Sequence, residues 1–298
     1  MIKELERAET PGRGNKRPKP RVPASSRPHV SESAFSLITL LTDFGTADYF
    51  VAAMKGVILG INPSVRIVDI THEIPAQDIE AGAFTLLAAY ASFHAGAIHV
   101  AVVDPGVGSA RRPILVEAGG HFFIGPDNGI FSYVCQRDQT AKIFELINTD
   151  YFRPQVSATF HGRDIFSPVA AALSTGVRPS ELGRETSTMV QLEPLLPKEL
   201  KNGELKARII HIDRFGNCVT NLTPANLTIS MIEQGAFLKV KGAKVSSFRN
   251  YFSEQDAGKK EVFGIWSSAG FLELAATNRS AAKILKAKRG DKVIVTCH

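Results

Sequence analysis

The feature that most constrains this 298-residue chain is the apolar run Ile98 to Val103, interrupted only by His99 and ending directly in Asp104-Pro105-Gly106-Val107-Gly108. A strand without the polar alternation of a half-exposed one is covered on both faces. Strands of that kind belong to sheets sandwiched by helices, where loops at the strand C-termini are free to build a site. The same rhythm recurs along the first half of the chain. Leu37 to Leu41 reads as a buried strand, Tyr49 to Leu59 as a helix, Val65 to Ile70 as a strand and Ile79 to Ser92 as a helix. Ile114 to Glu117 and His121 to Ile124 flank Gly119-Gly120 as a hairpin, and Ile165 to Leu173 reads as a helix with Pro168 in its first turn. This alternation predicts an α/β fold with a mostly parallel central sheet.

Past Gln191 to Leu200, which holds Pro194 and Pro197 and is expected to be a linker, the pattern changes to short strands. These are Ala207 to Ile212, Cys218 to Leu222, Ala236 to Val240, Val262 to Trp266, Phe271 to Ala275 and Lys292 to Thr296. Their spacing suggests a small all-β barrel or sandwich. The expected organisation is a leader over 1–36, an α/β domain over 37–190, a linker over 191–200 and a β-barrel domain over 201–298. Small-molecule sites favour the cleft between such domains.

A net charge of +6 raises a polyanionic partner, but its location matters more than its size. Residues 1–34 hold eight Lys and Arg against four Glu, so this leader carries +4 and the rest of the chain only +2. With almost no large apolar residue, the leader is expected to be a disordered basic tail. It lacks the apolar stretch of a secretory signal, and Pro11, Pro18, Pro20, Pro23 and Pro28 break any helix there. Cys135, Cys218 and Cys297 are too far apart for a metal knuckle, and a reducing, cytoplasmic setting is expected. No stretch is long and apolar enough for a membrane span, and the nearly neutral body gives no reason to expect nucleic acid.

There is no GxGxxG, Walker A, HExxH or GxSxG string, and the eight histidines show no ligand spacing, so no metal is expected. Function must come from polar groups at strand ends, and four clusters qualify. Thr42-Asp43-Phe44-Gly45, with Asp48 nearby, places a carboxylate that either accepts from a ribose diol or caps the following helix. Asp104 to Arg112 is a glycine-rich loop that brings Arg111 back toward Asp104, as a functional pair or as an ion pair closing a turn. Phe160-His161-Gly162-Arg163-Asp164 supplies an imidazole before a helix, structural or functional. Asp213-Arg214-Phe215-Gly216-Asn217, with Asn221 after it, suits either a hairpin turn or recognition of the charged end of an amino acid. Phe252 and Trp266 fit an ordinary core or an aromatic ligand.

Taken in order, these strings, together with Val68-Asp69-Ile70-Thr71-His72 and Gly125-Pro126-Asp127-Asn128-Gly129, resemble the S-adenosyl-L-methionine (SAM) hydroxide adenosyltransferases, relatives of fluorinating and chlorinating enzymes. The resemblance spans about Leu37 to Thr296. It implies a helix-sandwiched sheet followed by a β-barrel, and homotrimers with sites between subunits. It implies hydrolysis of SAM, as substrate rather than cofactor, to adenosine and L-methionine. The family's Asp-Arg-His triad falls on Asp104, Arg111 and His161, and its ribose carboxylate on Asp43. Asp213 and Asn217, with Asp48 and Ser268 nearby, would hold the methionine end, and Phe160 and Phe252 the adenine face. Ala275 to Ser280 matches imperfectly, and the adenine edge is placed around Asn278.

Water at C5′ must be made hydroxide-like without a metal, and the lever is a cation: Arg111 stabilises the oxygen, His161 takes or relays the proton, and Asp104 orients both. The resemblance also separates the relatives. Halogenating members carry Tyr at the position of Asp104, and fluorinating ones also Ser at Gly162; the short Arg112 to Gly125 segment leaves no room for the fluorinating group's insertion. A carboxylate beside an incoming halide repels it. The competing readings are a non-catalytic SAM or adenosine sensor, a halogenase, and a nucleic-acid binder acting through the basic tail.

Overall fold

The computed structural model describes residues 37–201, 203–253 and 262–297, so the leader expected over 1–36 lies outside the described residues. The first sheet is built from β1 (Leu37–Thr42), β2 (Arg66–Thr71), β3 (Ile98–Val102), β4 (Pro113–Ala118), β5 (His121–Pro126), β6 (Lys142–Leu146) and β7 (Gly183–Thr186). Its order is β2-β1-β3-β5-β4-β6-β7. β1 runs parallel to β2 and β3, and β3 to β5, but β4 is antiparallel to β5 and β6, and β6 to β7. The mostly parallel sheet read from the sequence is therefore mixed. The cause is the Gly119-Gly120 hairpin, both glycines at positive φ, which sends β5 straight back along β4 and leaves β4 antiparallel between β5 and β6.

Helices α1 (Phe50–Ile61), α2 (Ile79–Ala89), α3 (Ser132–Arg137) and α4 (Ser167–Ser174) cover this sheet. Side chains alternate across a strand, so Ile38, Leu40, Val100 and Val102 pack on one face with Met54 and Ile58 of α1 and Val169 of α4. Leu41, Ala101 and Val103 pack on the other with Phe84 and Leu87 of α2 and Val134 of α3. Burying each such Leu or Ile is worth roughly 1.5–3 kcal/mol, which fixes the plane from which the strand-end loops project.

The second sheet contains β8 (Lys198–Glu199), β9 (Leu205–Ile212), β10 (Cys218–Thr220), β11 (Phe237–Val240), β12 (Ala243–Val245), β13 (Phe248–Arg249), β14 (Val262–Trp266), β15 (Leu272–Ala276) and β16 (Lys292–Thr296). It runs β12-β11-β16-β9-β10-β15-β14-β13, with β8 paired to β9. It curls as a half-barrel around Ile209, Leu238, Leu272, Leu274 and Val295. Residues 191–200 connect the sheets without hanging free: Leu192 N–H donates to Ser132 Oγ at 2.8 Å, and Leu195 is buried. Between the sheets, Phe84 of α2 meets His211 and Phe271, and Glu80 pairs with Arg208 at 2.6 Å. Among the described residues no helix is long and apolar enough to cross a membrane.

Candidate active site

Asp104 follows β3, where the buried strand ends and the chain turns through the bonds Val107 N–H to Asp104 O and Ser109 N–H to Gly106 O. Those turns return Arg111 to Asp104. Arg111 Nε donates to the two carboxylate oxygens at 2.8 and 3.0 Å, and Nη2 donates to Oδ2 as well. The same Nη2 lies 2.7 Å from His161 Nδ1, and the guanidinium sits 5.4 Å from the centre of the Phe166 ring. Both side chains of the ion pair are almost fully buried, and Arg111 Nη1 is buried with no hydrogen-bond partner among the described residues. The triad is one continuous chain of polar contacts with an unused donor in its middle.

Gly108 is what allows this. It has a φ of 79°, and a Cβ there would meet Ala158 O at 2.3 Å, so the Asp104 loop lies directly on the loop that leads to His161. His161 caps a π-helical turn, Gly162–Phe166, which runs straight into α4, with Ser167 Oγ donating to Gly162 O at 2.7 Å. Wide turns of this type occur mainly at functional sites. Behind it, Asp164 is fully buried and accepts from Arg163 Nε at 2.7 Å and from Ser157 N–H at 2.9 Å. Burial alone would raise its pKa; the bonds from Arg163 and Ser157 outweigh burial and hold it at about 2. Asp164 therefore stays an anion that ties the 153–164 loop together.

Burial, and next the Arg111 cation, push the His161 pKa below its ordinary value, against the opposing pull of Asp104 and Asp164. Arginine only donates, so Nδ1 is the acceptor and a neutral His161 carries its proton on Nε2. Asp104 is bonded to Arg111 and acts on the imidazole through it and through space.

Asp43 does not cap α1, whose N-cap is Tyr49 without a side-chain bond. Its Oδ2 accepts from Gln77 N–H at 2.8 Å, and Thr42 Oγ1 meets His72 Nδ1 at 2.8 Å, so the 42–45 loop is fastened to the loop before α2. Asp48 is exposed. Phe160 is buried, with the Phe44 and Phe50 rings edge-on at 5.9 and 5.2 Å and the Arg163 guanidinium over it at 5.1 Å.

The second group sits on the curled sheet. Asp213 and Asn217 close the β9–β10 turn, with Asn217 N–H and Nδ2 donating to the two Asp213 oxygens at 2.8 and 2.9 Å. The turn reading and the ligand reading thus concern the same residues. Gly216 has a φ of 85°, and a Cβ there would lie 2.0 Å from Ser280 Oγ, so this turn is locked to the turn holding Asn278. Phe215, Asn217, Phe252, Asn278 and Arg279 line one cavity of about 590 Å³. Ser268 is exposed at the β14–β15 turn and Trp266 is half-buried. Arg249 holds the wall, donating to Phe252 O at 3.2 Å and Thr277 Oγ1 at 3.1 Å. Among the described residues no hydrogen bond or ring contact joins this group to Asp104, Arg111 and His161.

Gln77, Phe166, Asp164 and Ser280 were not among the expected site residues. Asp164, inside the quoted His161 string, and Ser280, at the end of the Ala275 to Ser280 string, lie in segments the sequence singles out; Gln77 and Phe166 act through contacts between segments far apart in it.

The chain matches the SAM hydroxide adenosyltransferase N-terminal domain over residues 38–183 and the corresponding C-terminal domain over 207–294. It is 35% identical over 277 residues, 89% of this chain and 97% of the relative, to a protein of Methanocaldococcus jannaschii named (R)-S-adenosyl-L-methionine hydrolase. A fluorinase of Actinopolyspora mzabensis is more distant, 26% identical over 87% of this chain and 97% of its own. A crystal structure of an uncharacterized conserved protein from Thermotoga maritima superposes with a TM-score of 0.80 at 32% identity, covering 88% of this chain and all of the other.

Proposed function

We propose that this chain, which belongs to the SAM hydroxide adenosyltransferase family, hydrolyses SAM to adenosine and L-methionine. The observation that carries the reading is the unbroken contact from Asp104 through Arg111 to His161, with Arg111 Nη1 buried and unused. In the reaction, an O–C5′ bond forms as C5′–S breaks, and its electron pair leaves on a sulfur that is already cationic, so no acid is needed there. The difficulty lies with the nucleophile. Asp104 holds the guanidinium rigidly, and Arg111 stabilises the hydroxide-like oxygen as it develops. One water proton must leave, and neutral His161, beside the guanidinium, accepts or relays it.

Asp43 is suited to the ribose diol, Asp213, Asn217, Asp48 and Ser268 to the methionine end, and Phe252 and Asn278 to adenine. Asp104 also bears on the choice between relatives: a buried carboxylate there repels an incoming halide, whereas water arrives neutral and develops charge only as it attacks. The separation of the two groups within one chain supports a homotrimer in which the first group of one subunit meets the second group of its neighbour. Phe215 (78% exposed), Tyr49 (65%) and Phe252 (48%) would be covered by that contact. Unpaired Cys135, Cys218 and Cys297 fit a cytoplasmic setting.

Incubation with SAM in 18O-labelled water tests the reading. The label is expected on adenosine O5′; intact SAM would identify a sensor, and turnover only on adding halide would identify a halogenase.

A further inference from the structure

Away from the candidate active site, β8, β9 and β16 carry an arrangement that costs the fold energy as it stands. On antiparallel strands the residues directly opposite share a face, and here Lys198 faces Lys206 while Arg208 faces Lys292. Lys206 and Arg208 are two apart on β9, so all four cations share one side of the sheet. Like charges placed directly opposite are destabilising. The residues surround a cavity of about 210 Å³, also lined by Glu193, Ala207, Asn221 and Gly290.

Two of the cations have protein partners, Lys198 with Glu193 at 2.7 Å and Arg208 with Glu80 at 2.6 Å. Lys206 and Lys292 make no ion pair within 4.0 Å among the described residues, although Lys206 lies near enough to Glu193 to help Lys198 lower its pKa. Asn221 adds a second, independent observation. It is 2% exposed, and its Oδ1 accepts from Arg208 N–H at 2.8 Å, yet its amide Nδ2 bonds to no protein group among the described residues while it lines the cavity. An amide whose donors no protein group uses is free to donate to a molecule in the cavity. Two ammonium groups without a carboxylate in ion-pair contact and an amide with unused donors around one small cavity are the donor set for a compact anion with several oxygen acceptors.

We propose that this cavity binds a small phosphate-bearing anion with two or more charges, held by Lys206, Lys292 and the Asn221 amide. Its volume admits a short phosphate chain and not a folded macromolecule. The anion removes the repulsion between the opposed cations, so the site is independent of SAM hydrolysis and uses none of its residues.

Isothermal titration with inorganic pyrophosphate, at an ionic strength held constant with chloride, is the test. The full chain is expected to take up one pyrophosphate saturably. Lys206→Gln with Lys292→Gln should weaken it about tenfold, each single substitution about threefold, and the distant Lys142→Gln not at all. Retained SAM hydrolysis shows that the double variant is folded; if it is not, the single variants decide. No saturable uptake by the unaltered chain, equal uptake by the substituted chains, or equal loss in Lys142→Gln would overturn the proposal.

Discussion

The two groups of candidate site residues are built on opposite plans. The side chains of Asp104 and Arg111 are almost fully buried and His161 is half-buried; the three are joined to one another and backed by Phe166 and the anionic Asp164. Asn217, Phe252 and Asn278 line an open cavity edged by exposed aromatic rings, with Asp213 behind it holding Asn217. The groups assigned to the chemistry are fixed before any ligand arrives, whereas those assigned to holding the ligand are half of a surface. Electrostatic catalysis gains most from groups that need no rearrangement, and binding groups can wait for a neighbouring subunit. A glycine serves each plan: Gly108 lets two loops of the first sheet touch, and Gly216 locks two turns of the second.

The contrast breaks first at Arg111. Arg111→Ala should lower kcat by about a thousandfold while SAM binding remains measurable by calorimetry, since removing one preorganised donor to a developing oxyanion typically costs that much. Asn217→Ala should instead raise KM, by about ten- to a hundredfold, through a lost hydrogen bond to a charged ligand, with kcat little changed. Refolding a mixture of these two variants together and assaying it at SAM well below the raised KM should give more hydrolysis than the two variants assayed separately if sites are shared between subunits; a mixture no more active than the sum of its components would refute the inter-subunit arrangement.

The smallest effect is in pH. With neutral His161 as the proposed proton acceptor and its pKa depressed, kcat/KM should stay level as pH falls through 6.5 and decline only below it. Arg111→Gln removes a cation that lowers this pKa, so the His161 titration followed by NMR should move up toward 6.5. No movement would show that burial alone sets it.

Much of the first sheet is legible in the sequence because its central strands are apolar along their length, as Leu37–Thr42 and Ile98–Val102 are, and such runs have one physical use. β6 and β7 escaped that reading: both are partly exposed and carry Lys142, Glu145, Arg184 and Glu185, so neither shows an uninterrupted apolar run. The candidate site divides similarly. Asp104 and Arg111 are visible as charged groups bracketing a glycine-rich loop, but the contact from Arg111 to His161 spans 50 residues and was reached only through the family resemblance. The packing of Phe160 against Phe44 and Phe50 was not legible, because an aromatic ring beside a proposed base looks the same in sequence whatever it packs on. Gln77 and Ser280 act through a backbone N–H and a shape, neither of which their residue type announces.

The wide turn Gly162–Phe166 gives the imidazole its bearing. A helix advances about 100° per residue, so excising one residue from this turn would let α4 wind on as an ordinary helix and swing His161 through about that angle. Every side chain would survive and the core of α4 could keep its packing, yet the imidazole would no longer point at Arg111. Spacing in this stretch is thus as binding a requirement as residue type: a homologue one residue shorter here would keep the letters of the motif and lose its aim.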